Sequence, residues 1–435
     1  DYQIVSTGPL RRIPLAVTSN GTLYRMDEAT PVAIKTGLST EATAYDFTNY
    51  LNIAILCNGK DRPIQYDGTT VSFLTHLPRA RIVHVHQGRL WMDDPAFPMR
   101  VWYTEAGVIS SLPAANFSDE PGGGGQEVKA IETYYDQLVI FTDDRLQTIQ
   151  GQNLDASDDL FDLIRTTVVT NRGASGFRLT KNVDNVIYAC DDKGPYSFGG
   201  RQVDPISHKT ERFFREQIAK DKLGEAISVW DEEFLQYRIF FRKPGGSTER
   251  ITWAYNYVDK SVNTEEYQTD LNITALGEIE NEDDRVEIWV GDSAGFVYRM
   301  LPGSDNGDDI SCIYRTPWYP AQPTADFSRR LRYVYVNCSH YGDVDLTLRI
   351  YTDFRSDPAF TRTINLSARP DWNEVDWDEF VWDGVEELQR RVSVGLTCRW
   401  AALEFEVAVK GAFRLNGWGL YYRTKSLQRL ESRNQ

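Results

Sequence analysis

A short unit recurs along this chain: an apolar strand, a polar turn carrying Gly, Asn or Asp, and a second strand that most often ends on an aromatic. It reads IAILCNGKDRPIQYDG at 53–68, ARIVHVHQGRLWM at 80–92, YDQLVIFTDDRLQTIQG at 135–151, NVIYACDDKGPYSFGG at 185–200 and VEIWVGDSAGFVYRM at 286–300. Alternating apolar residues on either side of NG, DD, DKG or SAG are the pattern of two antiparallel strands around a tight turn. A lone strand pair cannot bury both of its faces, so units repeating at steps of about 30 to 50 residues must stack on one another.

Two near-identical hexapeptides mark the ends of this recurrence. GTLYRM stands at 21–26 and GFVYRM at 295–300, so their starts lie 274 residues apart (295 − 21). At about 45 residues per propeller blade, that is about six steps. The expectation is an all-β chain whose residues 1–308 form a β-propeller of about six to seven blades, the two hexapeptides occupying equivalent strands of the first and last. A set of β-sandwiches is the alternative use of the same pattern.

Two segments break the rhythm. FSDEPGGGGQE at 117–127 is Gly-rich, but a strand-like run follows it rather than a helix, so it reads as a loop and not as a phosphate cradle. PISHKTERFFREQIAKDKLGEA at 205–226 is the best helical pattern in the chain, with Phe213, Phe214, Ile218 and Leu223 forming a stripe and KLG closing it. It predicts one isolated helix inserted in the repeat. LPGSDNGDD at 301–309 reads as a boundary. Beyond it come LRYVYVNC, DVDLTLRIYTDF, RRVSVGLTCRWA, LEFEVAV and AFRLNGWGLYYRT, with Val344, Leu346, Leu348 and Ile350 on one side of their strand. Residues 309–425 therefore read as a C-terminal antiparallel β-sandwich, and 426–435 as a polar tail.

The candidate chemistry is sparse. HVH at 84–86 puts His84 and His86 on one strand face, where two imidazoles could begin a metal site, but no third ligand stands nearby. The acidic knots DASDD (155–159), ENEDD (280–284) and DNGDD (305–309) miss EF-hand spacing and read as solvated loops. PDWNEVDWDEFVWDG at 370–384 mixes Trp with carboxylates, as a strand edge, a subunit contact or a sugar platform would. GxSxG and sialidase Asp-box patterns do not occur. The expectation is no catalytic residue, no cofactor and no metal, hence no enzyme. Net charge is −16, which disfavours gripping nucleic acid or anionic membranes, and no apolar run reaches the length of a membrane helix. The five cysteines, Cys57, Cys190, Cys312, Cys338 and Cys398, are scattered and odd in number. With DYQIVSTGPLRR lacking a signal-peptide order, they read as free thiols in a reducing compartment.

RVWYTEAG, the Gly-rich gap, AIETYYDQLVIFTDDRLQTIQG and then RGASGFRLTKNVDNVIYACDDKGPYSFGGRQVDPIS resemble the tail hub, or nozzle, proteins of short-tailed bacteriophages, which include packaged-DNA stabilisation proteins. The resemblance covers residues 80–210, and RRVSVGLTCRWAALEFEVAVKGAFRLNGWGLYY also fits the end of such proteins. It implies a structural virion protein, assembled in the host bacterial cytoplasm and resident in the tail. Such proteins form a ring, commonly a homo-hexamer, below the portal and adaptor proteins. The ring extends and helps close the DNA ejection channel and anchors tail fibres or spikes, while phage DNA passes without specific binding and no membrane is entered. No catalytic residue carries over. Two other classes fit the expected fold: a propeller glycosidase or depolymerase acting on surface polysaccharide, and a lectin-like receptor-binding propeller.

Overall fold

The computed structural model describes residues 2–4, 11–28, 30–119, 126–153, 161–246, 248–266, 272–281, 285–300, 307–321, 328–340, 344–366, 386–410 and 413–423. The chain is all-β and divides into two compact units, Asp1–Met300 and Leu301–Gln435.

The first unit is a series of seven small antiparallel meanders, each strand pairing with the one before it. The second runs Asp46–Tyr50, Ile53–Cys57, Ile64–Tyr66, Val71–Phe73, and the third Val83–His86, Arg89–Asp93, Arg100–Tyr103, Phe117–Asp119. The fourth comprises Ala130–Tyr134, Gln137–Phe141, Arg145–Asn153 and Phe161–Thr170. Lys181–Val183, Val186–Asp191, Gly194–Phe198 and Val203–Pro205 make the fifth; Ile227–Asp231, Gln236–Arg242, Arg250–Asn256 and Val262–Glu265 make the sixth. The seventh has three described strands, Ile273–Glu280, Val286–Asp292 and Val297–Met300. In the first, Tyr2–Ile4 pairs with Arg11–Ile13, which runs on through Pro14 into Leu15–Val17, followed by Leu23–Arg25 and Val32–Lys35. Pro14 breaks the strand because it has no N–H to give, but its carbonyl still accepts from the Met26 N–H at 2.9 Å. Counted this way, both hexapeptides fall on the third strand of their meander.

Turn chemistry sets the register. Gln87 and Gly88 (φ 49° and 67°), Leu51 and Asn52 (52° and 60°) and Asp184 and Asn185 (49° and 59°) place two successive residues in the left-handed region. That pair of conformations matches the right-handed twist of the flanking strands. The meanders then stack face to face, because each has two apolar faces to bury. Leu23, Ala54, Leu56 and Ile64 join the first to the second; Tyr50, Ile55, Leu90 and Met92 the second to the third. Trp91, Val101, Leu138 and Ile140 fill the next layer, then Val139, Phe141, Ile187 and Tyr196. Tyr188, Tyr237, Phe241 and Trp253 fill the fifth–sixth layer, and Val229, Phe240, Ile288 and Val290 the last. The first strands of meanders two to seven lie side by side in chain order. Among the described residues no sheet closes on itself.

The predicted helix is shorter than its pattern. Only Glu211–Glu216 is α-helical, with 3-10 turns at His208–Thr210 and Lys220–Glu225. The stripe is real: Phe213, Phe214, Ile218 and Leu223 are all buried in the fifth–sixth core. The helix stops because the Ala219 N–H bonds the Arg242 carbonyl of the neighbouring sheet at 2.9 Å, which holds the chain in an extended conformation there.

The second unit is a sandwich. One sheet orders Ile310–Arg315, Trp400–Val409, Asp345–Thr352 and Phe360–Asn365, with Tyr319–Pro320 beside Trp400–Val409; the other orders Glu386–Cys398, Arg329–His340 and Phe413–Arg423. Val334, Val336 and Val392 of one sheet share a core with Leu346, Leu348, Ile350 and Phe405 of the other, so the Val344–Ile350 alternation faces inward as read. None of the five cysteines forms a disulfide; four are buried and Cys312 is exposed. The Gly-rich run 120–125, DASDD (155–159), the PDWNEVDWDEFVWDG segment (370–384), the tail 426–435 and parts of ENEDD and DNGDD lie outside the described residues.

Candidate functional site

The first strands of the meanders carry polar side chains that converge. Lys181, on the fifth meander, pairs with Glu278 on the seventh, Nζ to Oε1 2.9 Å, reaching past the sixth. The sixth joins through its backbone, the Trp230 N–H donating to the same Glu278 Oε1 at 2.8 Å. On the other side, the Thr180 hydroxyl donates to Glu132 of the fourth meander at 2.9 Å, and the Val83 N–H of the third donates to Asp46 of the second at 2.9 Å. The ion pair therefore crosses the first strand of the sixth meander, whose backbone shares the same carboxylate.

Each inner carboxylate thus caps a donor from the adjoining meander, which satisfies groups that burial would otherwise leave unpaired. The charges set each other's titration. Burial pushes the Asp46 carboxyl up to about 7 against the pull of the Val83 N–H, with Glu132 adding repulsion. Burial also raises Glu132, although the Thr180 hydroxyl and Lys181 hold it down. Burial pulls the Lys181 ammonium down, but Glu278, Glu132 and Asp46 outweigh it and the net shift is upward.

His84 and His86 point to the same neighbour. The Thr133 hydroxyl lies 2.8 Å from His84 Nε2 and 3.1 Å from His86 Nδ1. Burial drops both imidazoles to about 4, His84 adding to the shift of His86, so both are neutral near pH 7. Among the described residues no three His, Cys, Asp or Glu side chains gather closely enough to hold a metal. The imidazoles are held by a threonine and not by further ligands. Beneath them, Asp93 accepts the Arg81 and Ile82 N–H groups at 2.6 and 2.8 Å, and burial lifts it to about 6 despite the nearby Arg81 guanidinium.

The arrangement binds meander to meander. Tyr50 donates to the Gly88 carbonyl at 2.7 Å, Tyr134 to that of Gly199 at 2.9 Å and Tyr237 to that of Leu179 at 2.6 Å, each crossing one meander boundary. Sequence reading singled out His84 and His86 but missed Asp46, Glu132, Lys181 and Glu278, which nothing local distinguishes from solvated charges. Away from the centre, a cavity of about 440 Å³ is lined by Phe97, Pro98, Met99, Arg100, Asp119, Gln126 and Glu127, with the Arg100 guanidinium stacked on Phe117 and Phe97.

No protein-family model and no curated protein matches this chain. Solved structures that resemble it include a computationally designed protein, Ika8 (12% identity, 68% of this chain and 94% of that one, TM-score 0.37). A second is the extracellular domain assigned to a hybrid two component system of B. thetaiotaomicron (13%, 61% and 34%, TM-score 0.40), so the chain spans about a third of that one. A third is a chain of a mitotic checkpoint complex (12%, 66% and 90%, TM-score 0.41). Likenesses this distant carry nothing further about this chain.

Proposed function

We propose that the chain is a structural protein of a short-tailed bacteriophage tail, a propeller unit followed by a sandwich unit, that assembles into a ring of about six copies around the DNA ejection channel. The observation that carries the reading is the centre of the first unit. Asp46, Glu132, Lys181 and Glu278 are spent on one another and on neighbouring meanders, which makes a rigid scaffold and not a set of groups free for substrate. The resemblance of residues 80–210 to tail nozzle proteins supplies the biological setting. A glycosidase would need two free carboxylates flanking a sugar; the inner carboxylates here already accept hydrogen bonds from the chain.

The sandwich unit offers a surface for assembly. Ile310–Arg315 is an edge strand exposed along its whole length, with Ile313 63% and Tyr314 50% exposed. Exposed apolar side chains such as Ile313 and Tyr314 are what a contact with another chain would cover. Native mass spectrometry and negative-stain imaging of the purified protein, alone and with purified portal and adaptor, test the reading. A ring of about six subunits is expected, and Ile313→Lys is expected to disperse it while leaving monomer stability unchanged. A wild-type monomer that also ignores portal and adaptor overturns the proposal.

A further inference from the structure

The outer face of one sandwich sheet ends in a group of aromatic side chains. Along Trp400–Val409 the core takes Leu403, Phe405 and Val407, so Trp400, Ala402, Glu404 and Glu406 share the opposite face. Phe354 packs on Trp400 with ring centroids 5.4 Å apart, and Trp318 packs on Phe354 at 4.7 Å. Successive rings tilt by 48° and 41°. The middle ring is the most open of the three, Phe354 being 61% exposed.

The backbone holds that ring out against its own preference. Asp353 and Phe354 (φ 51° and 62°) both lie in the left-handed region, which suits Asn or Gly and not a bulky aromatic. Asp353 locks the turn. Its Oδ1 accepts the Arg399 and Trp400 N–H groups at 2.8 and 3.0 Å, and its own N–H donates to the Trp400 carbonyl at 3.0 Å. Trp318 stands between Pro317 and the short strand Tyr319–Pro320, which pairs beside Trp400. Backbone strain that presents an apolar ring to water points to a ligand, because folding alone gains nothing from it.

The face continues into polar groups. Arg349 and Arg315 both stand opposite Glu404, and Tyr351 opposite Ala402. The Arg349 guanidinium donates to Glu404 at 2.9 Å and to Glu406, and the Tyr351 hydroxyl donates to Glu404 at 3.2 Å. The Arg315 guanidinium lies 3.9 Å over the Tyr351 ring and reaches Glu404 only at 3.9 Å, with its side chain 43% exposed. Two guanidinium groups thus meet two carboxylates, and this stretch is neutral within a chain of net charge −16.

We propose that this face binds a neutral carbohydrate chain, with Trp318, Phe354 and Trp400 against the apolar faces of its sugar rings and Arg315, Arg349 and Glu406 on its hydroxyls. The charge balance selects the ligand class. A single-stranded nucleic acid also stacks on aromatic rings, but it needs a positive groove for its phosphates. A second protein would have to strip water from four charged groups. Hydroxyls both donate and accept, so a chain of them matches fixed donors and acceptors that sum to no charge. Every residue of the site belongs to one sandwich unit, so the proposal does not depend on the ring reading.

Affinity electrophoresis of the full chain tests it, through gels holding dextran, laminarin, galactomannan or soluble starch as neutral polymers. Polygalacturonate and a single-stranded oligonucleotide are the charged probes. Wild type is expected to be retarded by at least one neutral polymer and by neither charged probe. Phe354→Asn is expected to unfold no lower than wild type, because Asn suits the left-handed turn, and to bind that polymer about tenfold or more weakly. Arg315→Gln is expected to weaken binding by less. Native mass spectrometry of Phe354→Asn is expected to give the subunit number of wild type. A wild type retarded by no neutral polymer or by a charged probe, or equal retardation of Phe354→Asn, overturns the proposal. So does a changed subunit number in Phe354→Asn, which would make the face a contact between copies.

Discussion

Lys181→Met removes a cation that bonds Glu278 across the sixth meander's first strand. At an N–O distance of 2.9 Å and an effective dielectric of about 20, the Lys181–Glu278 attraction is about 6 kcal/mol. Both side chains are 30% exposed, so part of their hydration survives and part of that attraction only replaces water. The net cost of the substitution falls between an exposed pair at about 0.5 kcal/mol and a broken buried pair at about 3–5 kcal/mol, and we expect about 2–3 kcal/mol at pH 8. The loss must also depend on pH. Without Lys181, Asp46 and Glu132 face each other with less compensation, and their carboxyls shift further up. As pH falls towards 5 they take protons and the repulsion fades, so the deficit shrinks. Urea denaturation of wild type, Lys181→Met, Glu278→Gln and the double variant at pH 5 and pH 8 measures both effects. A coupling energy under about 0.5 kcal/mol at pH 8, or a deficit that stays constant with pH, refutes the account of this centre as an ion-paired lock.

Asp46→Asn should act in the opposite sense. Its folded carboxyl titrates near 7 against an ordinary 3.8, so the folded state holds the proton more tightly and stability is lost as pH rises through 7; the variant should gain about 2 kcal/mol over wild type at pH 8 and nothing at pH 4, as read from denaturant midpoints. The two hexapeptides give a matched pair. At Gly21 (φ 76°) an added Cβ would meet the Leu38 carbonyl oxygen at 2.2 Å, whereas at Gly295 (φ 90°) it would meet nothing within 4 Å. Gly295→Ala should therefore cost only the backbone strain, about 1 kcal/mol, and Gly21→Ala clearly more, by thermal unfolding of each variant.

The strands were legible because the information for them is local. Alternation and turn residues at 53–68, 80–92 and 185–200 each specify a hairpin within sixteen residues or fewer, and each hairpin formed where its pattern lies. The helix at 205–226 was overread for the converse reason. Its stripe predicts which residues are buried but not that the Ala219 N–H will prefer the Arg242 carbonyl to a helical partner. Pro14 likewise splits what the pattern would give as one strand, a matter of a single missing donor.

The centre was illegible residue by residue, yet its spacing is written in the chain. From the third meander on, contacts between the first strands of adjoining meanders, or the turn just before them, recur at nearly fixed separations: His84 to Thr133 at 49, Thr180 to Glu132 at 48, Asn182 to Thr133 at 49, Ser228 to Arg178 at 50 and Trp230 to Glu278 at 48, whereas Val83 to Asp46 in the second and third is 37. The hairpin pattern fixes the repeat only to about 30 to 50 residues, because loop lengths blur it. From the third meander on, the whole unit, loops included, keeps nearly one length, so the spacing of the first strands stays sharp. Steps of 48 or 49 residues from His84 land on Glu132, Lys181, Trp230 and Glu278, the residues that meet at the centre. A charge on a short inner strand looks like a solvated charge until it is set beside its counterparts one period away. Polar residues in phase across a β-repeat are therefore the signal for side chains that converge, and in this chain they are joined by ion pairs and hydrogen bonds that tie each meander to the next.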